Sequence, residues 1–285
     1  MSVHSVRGER LAAALPERYA FRELIGKGGA AYVALADDLE RQHPVAVKIL
    51  RPEVATAVGE TRFRREIEIL SHLDHPNILS LLDYGSVDGV ILYFTMPFVE
   101  GITLQTRLKR EKRLALGDAL GIAEDVASAL DYAHTRGIIH RDIKPANILL
   151  SDGRVIVADF GIARAMAVDS AEQITVSGVS LGTPEYMAPE QVEAMRELDA
   201  RCDVYALGCV TYEMLAGEPP FTGPTELAIF ARHVNEPPRS IRQIRPEIPS
   251  GVDAAIIRAL QKSRAARFYT AGSYAKALLA GSSGQ

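Results

Sequence analysis

The segment His140-Arg141-Asp142-Ile143-Lys144-Pro145-Ala146-Asn147-Ile148-Leu149-Leu150 constrains this chain more than any other stretch. Pro145 disfavours helical geometry at Lys144 and withholds a backbone donor, so the polar residues around it sit on a turn-rich loop. The apolar run Ile148 to Leu150 predicts a short buried strand that anchors this loop. One carboxylate, one ammonium and one side-chain amide are thereby gathered on a fixed segment. Such a set suits phosphoryl transfer. Asp142 can accept the proton of an attacking hydroxyl, Lys144 can neutralise a transferring phosphoryl group, and Asn147 can ligate Mg²⁺. Taken singly, each reads more simply as a turn residue or a solvated cation, so the rest of the chain has to decide.

The 285 residues are 47% hydrophobic and 24% charged, enough for a large core or two lobes. A net charge of −4 argues against a general nucleic-acid binder, though not against a local basic patch. Cys202 and Cys209 are too few for a disulfide framework and fall in an apolar helical stretch, which predicts buried, reduced thiols. No run approaches the roughly 18 apolar residues of a membrane span, and Met1 to Glu17 lacks a signal-peptide core. The chain is expected to be cytoplasmic and free of any membrane segment, with an anchor beyond Gln285 in a longer parent protein left open.

Residues 1–18 read as a leader with an amphipathic piece at Leu11 to Leu15, stopped by Pro16. Strand-like runs follow at Tyr19 to Ile25, Gly26 to Ala36 and Val45 to Leu50, with Gly26, Gly28 and Gly29 between the first two. Glycines between two strands make a hairpin. A dinucleotide fingerprint would need a helix after them, and the Gly-x-x-x-x-Gly-Lys-Ser/Thr phosphate loop is absent. A glycine hairpin can lie over phosphates and donate N–H groups to them, although many hairpins use glycine for turn geometry alone.

Lys48 interrupts the apolar run Val45 to Leu50 and therefore calls for a partner. The helix Glu60 to Leu73 offers Glu66, which borders the face formed by Phe63, Ile67, Leu70 and Leu73. The competing reading lets Lys48 reach solvent and pairs Glu66 with Arg62 along the helix. Strands are predicted at Ile78 to Tyr84 and Val90 to Met96, then an extended connector Pro97 to Gly101. Asp118 is the predicted N-cap of a helix stopped by Gly137. Arg154 to Ala158 reads as a strand ending in Asp159-Phe160-Gly161. A polar segment with Ser170, Thr175, Ser177 and Ser180 leads to Gly182-Thr183-Pro184-Glu185-Tyr186-Met187-Ala188-Pro189-Glu190. Asp203 to Leu215 predicts a central buried helix, and Thr225 to Ala280 three more helices.

Together these motifs resemble a protein kinase catalytic domain of the eukaryotic-like, Hanks-type serine/threonine class found in bacteria, from about Tyr19 to about Ala280. The resemblance rests on the glycine hairpin, Val45-Ala-Val-Lys48, Glu66, His140 to Asn147, Asp159-Phe-Gly and Ala188-Pro-Glu190, in that order. Lys144 favours the serine/threonine over the tyrosine type. Met96 to Leu104 and the spacing of Thr175 and Ser177 before Thr183 resemble bacterial receptor-type kinases.

The resemblance implies an α+β, bilobal fold: a small antiparallel β-sheet lobe with a helix (19–96), a hinge (97–101), a large, mainly helical lobe (102–280) and a tail (281–285). It also implies the roles. Ile25, Gly26, Lys27, Gly28, Gly29 and Val33 cover ATP; Lys48 holds its α- and β-phosphates and Glu66 orients Lys48. Asn147 and Asp159 bind Mg²⁺, with Mn²⁺ as an alternative. Asp142 orients the substrate hydroxyl and accepts its proton, Lys144 contacts the γ-phosphate, and Thr183 braces both. Met96 is the gatekeeper, Pro97 and Val99 face the adenine edge, and Val33, Ala46 and Leu149 sandwich the ring. Leu70, Leu81, His140 and Phe160 form a column anchored by Asp203, and Glu190 pairs with Arg267. Thr175 and Ser177 are the expected regulatory phosphosites, and a phosphate there would pair with Arg141 and Arg164. Protein substrates, and a homodimer through the small lobe, are the expected partners.

Two departures stand out: Ala31 occupies the third glycine position, and Pro97 follows the gatekeeper. Neither removes an atom the roles above require. The alternatives are a catalytically weak nucleotide-binding pseudokinase scaffold, disfavoured by Lys48, Asp142, Asn147 and Asp159, and a small-molecule kinase, disfavoured by the segment ending in Ala188-Pro-Glu190.

Overall fold

Strand-forming runs broken by glycine give a meander of β1 (Tyr19–Lys27), β2 (Ala31–Asp38) and β3 (His43–Leu50) in the computed structural model, which describes residues 15–160, 183–195 and 197–283. With β4 (Asp83–Val87) and β5 (Ile91–Pro97) they form an antiparallel five-stranded sheet in the order β1-β2-β3-β5-β4. Among the described residues this unit comprises 15–74 and 79–100. One sheet face buries Tyr19, Ala36, Val45, Val47, Ile49 and Tyr93, and Leu15, next to the expected stop at Pro16, packs into the same cluster. Arg18 fixes the sheet edge by donating from Nε and Nη2 to both oxygens of the buried Asp38, at 2.9 and 2.7 Å.

Among its described residues this unit holds two helices. The one at Glu60–Ser71 (α2) buries Phe63, Ile67 and Leu70, as its spacing predicts. It is preceded by a short helix, Pro52–Val58 (α1), that the sequence reading passed over. Pro52 at its first position is the signal that was available. Of the two further strands predicted, only the second keeps its place. Residues 78–82 are not in a strand, and β4 runs from Asp83 to Val87. Ile78 instead makes an isolated parallel bridge to Val157, beside which the Asn77 amide donates to Val155 O at 2.8 Å. That pairing draws 75–78 into the second unit and removes the apolar run from the five-stranded sheet.

The second unit comprises 75–78, 101–160, 183–195 and 197–283 among the described residues. A small sheet, β6 (Ile102–Thr103), β7 (Ile148–Ser151) and β8 (Arg154–Val157), stands beside helices α3 (Leu104–Glu111) and α4 (Leu116–His134). Ala115, not Asp118, is the N-cap of α4. Leu114 N–H donates to Met214 O at 2.8 Å, a tertiary tether that sets the helix start, and the Asp118 carboxylate takes up the Arg107 guanidinium instead. Gly137, at φ 74°, follows the end of α4 as expected.

The helix α6 (Arg201–Ala216) is buried on nearly every side, Cys202 and Cys209 included as free thiols. Burial pushes both thiols up, so they are inert packing residues. The unit also holds α5 (Pro189–Val192), α7 (Glu226–Asn235), α8 (Ser250–Ala259) and α9 (Ala271–Ser283); α4, α8 and α9 pack on α6, and α5 packs on α7. Helices α8 and α9 approach so closely that a Cβ on Gly251 would lie 2.6 Å from the Gly281 Cα. Among the described residues, no helix is long and apolar enough to cross a membrane.

Candidate active site

The opening loop lies wholly in the second unit, and its polar residues converge. Pro145 starts a 3₁₀ turn, Pro145–Asn147, which leads directly into β7. This turn carries Asn147 back onto Asp142: the Asn147 amide donates to the Asp142 carbonyl at 2.8 Å and to its Oδ2 at 3.1 Å. Lys144 Nζ donates to the same Oδ2 at 2.7 Å. Both interactions therefore use the same carboxylate oxygen, Oδ2.

The loop is pinned from below by Asp203, which is fully buried near the start of α6. Its carboxylate accepts from His140 N–H and Arg141 N–H, each at 2.8 Å, and from His134 Nε2 at 2.7 Å. Burial alone would raise this carboxyl. The His134 hydrogen bond, the electrostatic influence of the His134 and His140 rings, and the Arg141 N–H outweigh that and hold it below the ordinary aspartate range. His140 is fully buried and uses both ring nitrogens: Nε2 donates to Ala158 O at 2.9 Å, and Nδ1 accepts from Asp142 N–H at 3.2 Å. Its ring meets Phe160 edge-on at 4.6 Å. Asp159 stands between Ala158 and Phe160 at φ 66°, and Arg141 precedes Asp142 at φ 69°. Both are non-glycine residues in left-handed backbone, at the two carboxylates the sequence singles out.

Asn147 and Asp159 provide oxygen donors suited to a hard divalent cation. With its NH₂ spent on Asp142, Asn147 presents its amide oxygen. Two protein oxygens would leave most of such a cation's coordination sphere to other ligands such as phosphates and water.

Thr183 heads the 3₁₀ turn Pro184–Tyr186. Glu190 and Arg267 pair as expected, with both guanidinium nitrogens at 2.7 Å from the carboxylate. Two contributors had no sequence signal of their own. His134 reads as one more position of an amphipathic helix, and no motif reaches Gln191. The Gln191 amide in fact donates to Arg141 O at 2.8 Å and accepts from Ala188 N–H at 3.0 Å.

In the first unit, antiparallel register aligns Val33 with Lys48 and Ala46 with Met96. The two-residue period then sets Val33, Ala46, Lys48, Phe94 and Met96 on one sheet face. Lys48 is half-buried on β3, with Nζ 5.8 Å from the Phe94 ring centroid, and Glu66 is half-buried on α2. Gly26, Lys27, Gly28 and Gly29 lie at the β1–β2 turn, closed by Gly28 N–H donating to Ala31 O at 2.9 Å, and Ile25 precedes them on β1. Pro97 ends β5, with Val99 just beyond. Leu149 is on β7 in the second unit, whereas Leu70 and Leu81 belong to the first. Thr175 and Ser177, with Gly161, Arg164 and Gly182, lie outside the described residues.

The chain matches the family model of the protein kinase domain over residues 19–277. It is 40% identical over 262 residues to serine/threonine-protein kinase PknB of Mycolicibacterium smegmatis, a match covering 90% of this chain and 42% of that protein. A probable serine/threonine-protein kinase of Streptomyces coelicolor is also 40% identical, over 89% of this chain and 38% of its own length. The chain thus spans about two fifths of the length of these curated relatives. The crystal structure of the Mycobacterium tuberculosis PknI kinase domain superposes with a TM-score of 0.74 at 31% identity, covering 95% of this chain and 99% of that one.

Proposed function

The chain belongs to the protein kinase domain family, and we propose that it transfers the γ-phosphate of ATP to Ser or Thr hydroxyls of protein substrates. One observation carries this reading above the others: Asp142 Oδ2 holds both Lys144 and Asn147, and neither bond draws on Oδ1, the oxygen assigned here to the substrate hydroxyl. A carboxylate so fixed cannot swing away, which is what a general base or orienting group needs. Lys144, 2.7 Å from that carboxylate, carries positive charge to where the transferred phosphoryl group gains negative charge.

In this assignment Lys48 binds the α- and β-phosphates and Glu66 orients it. The hairpin from Ile25 to Val33 covers the nucleotide, and Met96, Pro97 and Val99 meet adenine, with Val33, Ala46 and Leu149 against the ring. Thr183 braces Asp142 and Lys144. Asn147 and Asp159 hold Mg²⁺, or Mn²⁺, which when bound neutralises the phosphates. Thr175 and Ser177 are the proposed sites of self-phosphorylation, and a homodimer through the small lobe is the proposed assembly. Full-length relatives are more than twice as long, so the physiological substrates of a parent protein belong to this proposal as well.

Incubating the chain with ATP and Mg²⁺ beside a panel of generic proteins and a panel of small-molecule alcohols tests the reading. Label on protein Ser or Thr supports it. Label confined to small molecules would replace it with a metabolite kinase.

A further inference from the structure

The peptide bond that carries Asp142 is gripped at both of its polar atoms. Its N–H donates to His140 Nδ1 at 3.2 Å, and its carbonyl, that of Arg141, accepts from Gln191 Nε2 at 2.8 Å. Arg141 sits at φ 69°, a conformation that a bulky residue keeps only where its surroundings over-determine it. Two bonds do so: its N–H donates to Asp203 Oδ1 at 2.8 Å, and its carbonyl is the one Gln191 holds.

The other end of the same amide accepts from Ala188 N–H at 3.0 Å. A planar group with an acceptor and a donor side by side is required; a side-chain amide carries one at every pH, a carboxyl only once it is protonated. The clip also stands on rigid ground. Glu190, the preceding residue, is buried in its bidentate pair with Arg267, so the backbone of α5 cannot easily drift from the loop it grips.

We infer that Gln191 is a positioning residue: its amide sets the Arg141–Asp142 peptide, and with it the aim of the Asp142 carboxylate, and ties that setting to Ala188. The inference rests on the assignment of Asp142 made above. It concerns the chemical step, so it touches kcat and leaves ATP binding alone.

Two variants separate this role from a merely structural one. Gln191→Ala removes both bonds. Gln191→Glu keeps the acceptor for Ala188 N–H but, when ionised, turns an acceptor toward the Arg141 carbonyl; once protonated it regains a donor. At pH about 8 both variants lower kcat by about five- to tenfold with KM for ATP unchanged, as expected for one net hydrogen bond. As pH falls toward about 5.5, the ratio of Gln191→Glu to parent kcat climbs, while that of Gln191→Ala stays flat. Amide hydrogen exchange is faster at 140–143 in both variants at pH about 8, and faster at Ala188 only in Gln191→Ala. Unchanged kcat in both variants, or an equal loss at every pH with a lowered melting temperature, overturns the inference. If the parent chain itself transfers no phosphate, the proposed function fails, and the exchange pattern alone then upholds or overturns the clip.

Discussion

Arg267 and Glu190 form a bidentate ion pair shut away from water: both nitrogen–oxygen distances are 2.7 Å, and the side chains are 0% and 2% exposed. Arg267 spends every remaining donor as well. Nε donates to Gln261 O at 2.7 Å, Nη1 to Arg201 O at 3.0 Å, and Nη2 to Lys262 O at 3.0 Å. Five N–H groups thus meet five acceptors, an arrangement that only the planar guanidinium fork can supply.

Arg267→Met therefore strips a buried carboxylate of both bonds of its ion pair and takes one hydrogen bond from each of three carbonyls. The expected loss is about 3–5 kcal/mol of unfolding free energy in urea titrations. Glu190→Gln, which keeps one acceptor and removes the charge, costs less. Equal losses for the two variants would contradict this ranking.

Asp203 holds two backbone N–H groups of the loop and one imidazole. Asp203→Ala strands all three in a buried site and is expected to cost about 3 kcal/mol, each orphaned buried group adding about 1 kcal/mol or more. Phosphate transfer should fall with it, because Arg141 then has one anchor fewer for its left-handed backbone. Denaturant midpoint and turnover, measured on the same preparation, check both parts.

His233 is fully buried, with Nδ1 2.8 Å from Tyr205 Oη and its ring edge-on to Phe221 at 4.9 Å. Burial, with Lys262 nearby, pushes the imidazole from its ordinary 6.5 to about 3. The folded protein thus keeps it neutral while the unfolded chain protonates it below pH 6.5. Stability is full above that value and falls as pH drops toward about 3. Between pH 7 and about pH 5 this one group removes about 2 kcal/mol. His233→Gln should flatten the acid side of the stability profile by that amount, read from urea midpoints at the two pH values. An unchanged slope would contradict it.

Gly281→Ala forces a methyl group into the backbone of α8, where a Cβ would meet Gly251 C at 2.4 Å. Helices packed this tightly must separate, and overpacking of this kind costs about 1–3 kcal/mol. Thermal unfolding of the variant against Gly272→Ala gives a contrast: there the Cβ would meet Asp131 Oδ2 at 2.5 Å, a side-chain end that can yield only by loosening its bonds from the Ala271 and Gly272 N–H groups, so a smaller but real loss is expected.

Much of this arrangement was legible in the chain because its elements are fixed locally. Pro145 and the apolar run after it place Asp142, Lys144 and Asn147 on a turn before a strand, and the 3₁₀ turn Pro145–Asn147 is that turn. The Lys48 interruption of β3 was legible for the same reason: alternation in a strand assigns it a face. What stayed hidden is tertiary. Asp118 looked like a cap, but a backbone tether from Leu114 to Met214 moves the helix start to Leu116. The run from Ile78 looked like a strand throughout, but Ile78 itself bridges Val157, far along the chain, and the ladder to β5 begins only at Asp83. Gln191 and His134 act through contacts with residues 50 and 69 positions away, which no local pattern encodes.

The most direct test follows the mass of the intact protein after incubation with ATP and Mg²⁺, beside Asp142→Asn and Lys48→Met. Phosphate should accumulate with time on the parent chain and on an added protein substrate. Asp142→Asn should fold normally yet transfer phosphate about 10²–10⁴-fold more slowly. Near-parent turnover by that variant, or ATP binding by the parent with no phosphate transferred and no ADP released, would contradict the assignment of Asp142 and of a kinase activity to this chain.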